Sequence, residues 1–305
     1  MSGPSGLHVV VRGRGPAVLF LHGLPTDGRL WRGVVARLAG RHTCVVVDLP
    51  GCGRSPEAAG GRLDPDAIVG ALEAERRARG IPAWAVVGHD AGATVAAHYA
   101  ARHAERVTGL VLLAPPLFPD LALPAAMRCL RLPVVGAVLA PVVAAALRRA
   151  LPRLLRRPDA VARGTAASFA AAFRGRRGAR RLRRLARWGE PAVVLARTAR
   201  LLPAIASPTL VVAAAHDRII GAQHARRAAA AIPGARLWRL DAGHLSPLDA
   251  PEALAQRVAA HLAGAAGPHA GPARYRTTSV RAATRARSAA ASASGLSPHH
   301  LSAVS

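Results

Sequence analysis

Lysine and asparagine are absent from this chain of 305 residues, and all 42 of its basic residues are arginines. Only 16 acidic residues oppose them, which gives a formal net charge of +26. Such a charge suits nucleic-acid binding, but aromatic residues make up only 3% of the chain, and no helix-turn-helix or zinc signature is visible. Arginine without lysine, beside abundant alanine, indicates a compositional bias rather than a phosphate-binding groove. We therefore expect no nucleic-acid partner.

Cysteine is also scarce. The three cysteines, Cys44, Cys52 and Cys129, form no CxxC pair and leave one residue over. This excludes a disulfide framework and favours a reducing compartment. The first residues also lack the charged-then-apolar pattern of a secretory signal. These features predict a cytoplasmic protein, and we expect neither a metal nor a cofactor.

Long apolar runs are missing as well. A transmembrane helix needs about 18–20 apolar residues, and the best candidate, Leu132–Leu147, is interrupted by Pro133 and Pro141. We therefore expect no membrane span and predict that this segment packs between the cap and the core, with contact to a membrane surface as the alternative. Because hydrophobic residues make up 51% of the chain, it can bury a large core.

Short apolar runs alternate with helical stretches, a pattern that predicts an α/β protein with a mostly parallel, doubly wound sheet. The predicted strands are Leu7–Arg12, Ala17–His22, Thr43–Asp48, Trp84–Gly88, Val107–Ala114, Thr209–Ala215 and Arg236–Leu240. The predicted helices are Arg29–Ala39, Asp64–Gly80, Ala91–Arg102, Gln223–Ile232 and Pro251–Leu262.

Between residues 115 and 206 the strand pattern stops, and leucine, alanine and arginine recur at helical spacing. A helical block inserted between two strands of one sheet predicts a cap over the carboxyl ends of the strands, where ligands bind in such sheets. The core then comprises residues 1–114 and 207–266. Residues 267–305 are rich in alanine, serine and arginine without periodicity and are predicted to be disordered.

The strongest chemical signal is the sequence Gly88-His89-Asp90-Ala91-Gly92 between a predicted strand and a helix. This is the G-x-nucleophile-x-G pattern of a tight strand-to-helix turn. The turn lifts the central side chain to a helix N-terminus, where the dipole favours an anion. Asp90 is therefore a candidate nucleophile, and the simpler alternative is a helix-capping aspartate.

Two further residues complete a candidate catalytic triad. Asp217 follows the first strand after the inserted block, and His244 follows the last strand. A nucleophile of this kind needs a base, and the base needs an orienting acid. The order nucleophile, acid, histidine is the chain order expected for this architecture. We predict catalytic roles for Asp90, Asp217 and His244, although each acid alone is also a common turn residue.

A glycine-containing turn, His22-Gly23-Leu24-Pro25, directly follows a buried strand. It predicts an oxyanion hole formed by the backbone N–H groups of Leu24 and Ala91. An ordinary turn is the alternative interpretation.

These motifs resemble those of the α/β-hydrolase family over residues 7–263, and within it the aspartate-nucleophile branch of haloalkane dehalogenases and epoxide hydrolases. The similar segments are LHGLPTDGRLW, VVVDLPGCGRSP, VVGHDAGA, AAHDRI and DAGHLSPLDAPE. The resemblance implies a hydrolase whose aspartate cleaves a carbon–halogen or epoxide carbon–oxygen bond of a small apolar molecule through an alkyl-enzyme ester.

The chain also departs from these enzymes. Haloalkane dehalogenases usually have tryptophan at the position of Ala91 and often asparagine at that of Leu24, and the predicted cap has no tyrosine to protonate an epoxide. Trp188 is the only cap aromatic with an N–H donor. We expect His22, His89 and Trp188 to line the substrate pocket, with packing inside the cap as the alternative for Trp188. The alternative is an ester-cleaving or degenerate hydrolase that mainly binds a small molecule.

The predicted cap is strongly basic. Eight arginines lie between Arg174 and Arg187, and Asp159 is the only acid from Leu121 to Gly189. This pattern is consistent with steering of an anionic substrate, with contact to an anionic membrane surface, or with a solvated helix face.

Overall fold

Seven strands form one sheet in the computed structural model of the chain, which describes residues 5–58, 64–157, 159–187 and 190–265. The predicted tail, 267–305, lies outside the described residues. The strands are β1 (Val9–Arg12), β2 (Ala17–Leu21), β3 (Thr43–Val47), β4 (Trp84–His89), β5 (Val107–Leu113), β6 (Thr209–Ala214) and β7 (Arg236–Leu240).

The strand order across the sheet is β1-β3-β2-β4-β5-β6-β7. Only β1 runs antiparallel to its neighbour, and all other pairs are parallel. Every residue of β2, β3, β4 and β6 is buried. Strands covered on both faces are apolar throughout rather than alternating, which explains the short unbroken apolar runs of the sequence. The predicted fold class is confirmed.

The helices cover both faces of the sheet. They are α1 (Arg32–Leu38), α2 (Pro65–Ala78), α3 (Ala91–Arg102), α4 (Ala125–Arg131), α5 (Pro133–Ala150), α6 (Ala160–Phe169), α7 (Gly175–Ala186), α8 (Pro191–Leu201), α9 (Ala222–Ala231), α10 (Ser246–Asp249) and α11 (Pro251–Ala265). Helices α2, α3 and α9 bury apolar side chains on one face, and α1 and α11 do so on the other. This is the doubly wound arrangement.

Helices α4 to α8, here called the inserted helices, lie in the chain between β5 and β6. Pro141 interrupts the apolar run in the sequence but does not end the helix, because α5 is 18 residues long and includes it. Pro133 stands at the first helical turn, where its missing N–H is no loss. Because Pro141 has no N–H, the Ala137 carbonyl receives no hydrogen bond within the helix. Both residues are exposed, so water can donate to that carbonyl instead.

The segment Pro133–Leu154 is, within the part of the chain that the structure describes, the one helical stretch long and apolar enough to cross a membrane by length and composition. The absence of a membrane span therefore stays a prediction. The cytoplasmic location is likewise a prediction, although all three cysteines are free.

Candidate active site

Asp90 stands at the corner between β4 and α3, with a backbone φ of 50° and ψ of −125°. Positive φ is costly for a residue with a side chain and marks a turn held in place by its surroundings. A Cβ on Gly88 would lie 2.4 Å from the Gly92 carbonyl oxygen, and one on Gly92 would lie 2.4 Å from the Leu21 carbonyl oxygen. The tight turn therefore requires glycine on both sides of Asp90.

The loops after β6 and β7 bring two more side chains to this corner. His244 Nδ1 lies 2.9 Å from Asp217 Oδ2, and His244 Nε2 lies 3.8 Å from Asp90 Oδ2. The first contact is a hydrogen bond, and the second is too long for one. The three residues that the sequence predicts as a triad thus converge, with the imidazole between two carboxylates.

Asp217 is held by the backbone that follows it. Its Oδ1 accepts hydrogen bonds from the N–H groups of Ile219 at 2.7 Å and Ile220 at 3.0 Å, while Oδ2 faces His244. Burial would raise the pKa of Asp217, but the His244 hydrogen bond and charge and these N–H groups outweigh it, so the pKa is lowered. Asp217 is therefore ionised and orients the imidazole.

The pKa of Asp90 is shifted in the opposite direction from that of Asp217. Burial raises its pKa from 3.8 to about 6, although the His244 charge and the Ala91 and Leu24 N–H groups pull it down. Desolvation disfavours the charged form of a carboxyl group. At neutral pH Asp90 is therefore mainly ionised but poorly solvated.

Burial lowers the pKa of His244, but the Asp217 hydrogen bond and the charges of Asp217 and Asp90 reverse this effect and raise it overall. Covalent modification of Asp90 would remove one of these charges. The pKa of His244 would then fall.

The turn after β2 lies against Asp90. A Cβ on Gly23 would come within 2.4 Å of Asp90 Cβ, so glycine allows the approach. The Ala91 N–H donates to Asp90 Oδ1 at 2.5 Å, and the Leu24 N–H is close enough to lower the pKa of the same carboxyl. Both predicted oxyanion-hole amides therefore face the Asp90 carboxylate.

The prediction that His22 and His89 line the pocket is corrected, since neither contacts the cavity. His22 is fully buried, where its Nδ1–H donates to the Gly23 carbonyl and its Nε2 accepts from the Leu49 N–H. His89 Nε2–H donates to the His244 carbonyl at 2.8 Å, and burial lowers the pKa of His89 to about 3. Both imidazole rings are neutral, and they hydrogen-bond to backbone groups behind the cavity wall.

A cavity of about 300 Å³ opens in front of Asp90. Its wall is formed by the corner itself and by the inserted helices. Polar side chains in this wall are Asp90, His244 and Thr94, and the Thr94 hydroxyl donates to the Pro116 carbonyl at 2.8 Å. The remaining contacts come mainly from aliphatic residues, including Met127, Leu130, Val143, Leu147, Leu182, Leu185, Leu195, Ile219 and Ile220.

Trp188, the third predicted pocket residue, lies outside the described residues. The sequence did not predict two residues that the structure places at or beside the site. Thr94 lies one helical turn after Asp90, and that spacing could have indicated it. Asp249 accepts hydrogen bonds from the N–H groups of Gly243, Arg156 and Arg157, tying the His244 loop to the inserted segment. No sequence signal marks that contact. Among the described residues, no three histidine, cysteine or acidic side chains cluster as metal ligands.

Comparisons with known proteins agree with this architecture. Residues 16–251 match the family model described as alpha/beta hydrolase fold. A pimeloyl-[acyl-carrier protein] methyl ester esterase of Chromobacterium violaceum is 41% identical over 35% of this chain and 40% of its own length. A cis-3-alkyl-4-alkyloxetan-2-one decarboxylase of Shewanella oneidensis is 33% identical over 44% of each chain. This chain therefore spans less than half of either curated relative.

Among solved structures, a haloalkane dehalogenase from Bradyrhizobium elkani superposes with a TM-score of 0.73 at 27% identity. The match covers 85% of this chain and 95% of the dehalogenase. The matched family model, the seven-stranded sheet and this similarity together show that the chain is a hydrolase enzyme of the α/β-hydrolase family, with haloalkane dehalogenase-like relatives.

Proposed function

We propose that Asp90 is a nucleophile that attacks a saturated carbon bearing a leaving group and forms an alkyl-enzyme ester. The supporting observation is the convergence of Asp90, His244 and Asp217 on the wall of an apolar cavity. A serine at this position would attack a carbonyl group. A carboxylate is better suited to displacement at saturated carbon, because its own ester can then be hydrolysed.

In the first step one Asp90 oxygen bonds to the carbon, and the bond to a halide or epoxide oxygen breaks. The apolar wall excludes water, which would otherwise solvate the carboxylate and slow its attack. The cavity volume of about 300 Å³ and its aliphatic lining favour a small apolar substrate. We further propose that residues 115–206 act as a cap that provides most of this lining.

In the second step His244 removes a proton from water, and the resulting hydroxide attacks the Asp90 carbonyl carbon. The tetrahedral intermediate then collapses: the ester C–O bond to the substrate breaks, and the released alkoxide takes the proton back from His244 and leaves as an alcohol. The 3.8 Å between His244 Nε2 and Asp90 Oδ2 suits a base that acts through an intervening water rather than on the carboxylate. The Leu24 and Ala91 amides stabilise the tetrahedral oxyanion, and one such donor typically contributes ~3 kcal/mol to barrier lowering.

A second candidate substrate is a strained four-membered lactone. Thr94 is the one hydroxyl in the described lining, and it already donates to the Pro116 carbonyl, so a departing halide or alkoxide finds no free hydroxyl donor there. Attack at the lactone's alkyl carbon releases a carboxylate, a stable leaving group that needs little help. Hydrolysis of the Asp90 ester then yields a 3-hydroxy acid. The Shewanella oneidensis relative is named for an oxetan-2-one substrate.

The test is to trap the intermediate. His244→Gln keeps the nucleophile but removes the base, so an adduct should accumulate on Asp90. Intact-mass spectrometry after incubation with alkyl halides, epoxides and 3,4-dialkyl oxetan-2-ones identifies both the adduct and the preferred class. The control variant Asp90→Ala should form no adduct, and it avoids the deamidation open to asparagine.

Isotope labelling separates this mechanism from direct hydrolysis. In ¹⁸O-water the wild-type protein should incorporate the label into the Asp90 carboxylate, because the hydroxide attacks that carbon. An ester-cleaving enzyme that uses Asp90 only as a base, or a binding protein without turnover, leaves Asp90 unlabelled. Product formation without label and without a trapped adduct would refute the proposal.

A further inference from the structure

Helix α5 is apolar around its whole circumference as far as Leu147, yet only one of its sides faces the protein. Val143 and Leu147 line the cavity, and Gly136 packs so closely that a Cβ there would lie 2.3 Å from the Leu130 carbonyl oxygen. The opposite side is exposed. Its large apolar residues, here called the α5 stripe, are Leu132 (49% exposed), Val134 (74%), Val135 (43%), Val138 (68%) and Val142 (64%).

An exposed stripe of this size is unusual. A helix that is hydrophobic on every side is normally surrounded by protein or lipid, and contiguous apolar surface on a protein marks an interaction site. Val134, Val138 and Val142 follow one another at four-residue spacing, so they form a single ridge. Within the described part of the chain, no other element covers this ridge.

The charge around the stripe is mainly positive, although Glu190 pairs with Arg131 at its start. Residues 121–187 contain sixteen arginines and a single acid, Asp159. At the start of α5, Arg183 donates to the Pro133 carbonyl and Arg187 donates to the Arg131 carbonyl, which holds both guanidinium groups beside the stripe. At its end, Arg148 and Arg149 are exposed. The apolar ridge is therefore flanked by cations at both ends.

We propose that the α5 stripe and its flanking arginines dock the protein onto an anionic lipid surface. The valines enter the boundary between headgroups and acyl chains, and the guanidinium groups contact lipid phosphates while their stems cover apolar surface. A second copy of the chain fits this surface less well, because two basic faces would oppose each other. A nucleic acid would satisfy the arginines but leave the valines in water.

Helix α5 rests on the membrane in this arrangement rather than crossing it. Its inner side is occupied by the cavity and by α4 and α7, so those contacts would be lost in a spanning orientation. The cavity wall includes exposed Ala122 and Ala126 near the start of α4, which packs against α5. Docking therefore places the cavity close to a reservoir of apolar molecules.

The test uses the full chain and two kinds of vesicle, phosphatidylcholine alone and phosphatidylcholine mixed with phosphatidylglycerol. Cosedimentation should show binding to the anionic vesicles that weakens with added salt. The double variant Val134→Asp and Val138→Asp should bind them roughly a hundredfold more weakly, as expected when two valines no longer leave water. All arginines remain in place, so this loss reports on the stripe.

Val193→Asp is the matched control. Val193 is 67% exposed on α8, which packs against α3, and the substitution adds the same kind of charge. It should leave binding within about twofold of wild type, allowing for one added negative charge. Circular dichroism and the hydrolysis of a water-soluble substrate check that the α5 variant is folded, since neither valine lines the cavity.

Equal vesicle binding by the wild-type protein and the α5 double variant would overturn the proposal. Equal binding to neutral and anionic vesicles would overturn it too. A concentration-dependent dimer that is lost in the same double variant, without any vesicle binding, would identify a second copy as the occupant and would also refute lipid docking.

Discussion

Removing the Asp90 charge should make the protein more stable at neutral pH, and Asp90→Asn tests this directly. The pKa of Asp90 is raised by burial from 3.8 to about 6, while in the unfolded chain it returns to its ordinary value. A difference of this size corresponds to about 3 kcal/mol. Because loss of the Asp90 charge also removes a contribution that raises the pKa of His244, we expect a net gain of about 1–3 kcal/mol.

The sign follows from proton binding. Between pH 3.8 and about 6 the folded state holds the Asp90 proton and the unfolded state has released it. Stability therefore falls as pH rises through this window, and the full penalty is present above it. The advantage of Asp90→Asn should be largest near pH 7.5 and should disappear near pH 4.

Urea unfolding at both pH values measures the difference in free energy of unfolding between variant and wild type. Asp217→Asn is the control of opposite sign. The pKa of Asp217 is lowered in the folded state, so its charge contributes stability that is present above its unfolded pKa and lost as pH falls through the folded value. A gain for Asp90→Asn that does not change between the two pH values would refute the electrostatic argument.

Three further predictions concern the site. In the His244→Gln background, the rate of adduct formation should fall as pH drops, because protonated Asp90 cannot attack, and the fall should begin above pH 6, because the His244 charge no longer lowers the pKa of Asp90; stopped incubations with mass detection measure it, and a flat profile would contradict the raised pKa of Asp90. Gly23→Ala should slow adduct formation about 10²-fold, because its Cβ would lie 2.4 Å from Asp90 Cβ, whereas a rate equal to wild type would show that the turn can move away. Asp249→Ala should lower the free energy of unfolding by about 2 kcal/mol and reduce turnover, since three backbone N–H groups lose their acceptor; unchanged values of both would show that the His244 loop is held by other contacts.

The architecture was largely readable from the sequence because its signals are local. Helix Ala91–Arg102 and strand Arg236–Leu240 have the predicted bounds, and the other core strands differ by only one or two residues. Buried parallel strands require continuous apolar runs, and the tight corner at Asp90 requires two glycines. Chain order then indicated which acid and which histidine to place beside it.

The inserted helices were less predictable. Helix α5 is apolar on all sides, so periodicity could not indicate which face lies inward, and its exposed stripe emerged only from the packing. The sequence also could not show where the side chains of His22 and His89 point. Both were expected to line the pocket, but hydrogen bonds to the Leu49 N–H and the His244 carbonyl hold both rings behind the site.

The sequence by itself determined the α/β-hydrolase architecture and the presence of a carboxylate where related turns carry a nucleophile, because both depend on spacing along a few consecutive residues. Only the tertiary structure decided the chemical environment of Asp90. Burial raises the pKa of Asp90, and the packing of distant helices sets the shape and the apolar lining of the cavity. These properties arise from residues far apart in the chain, so no local pattern encodes them.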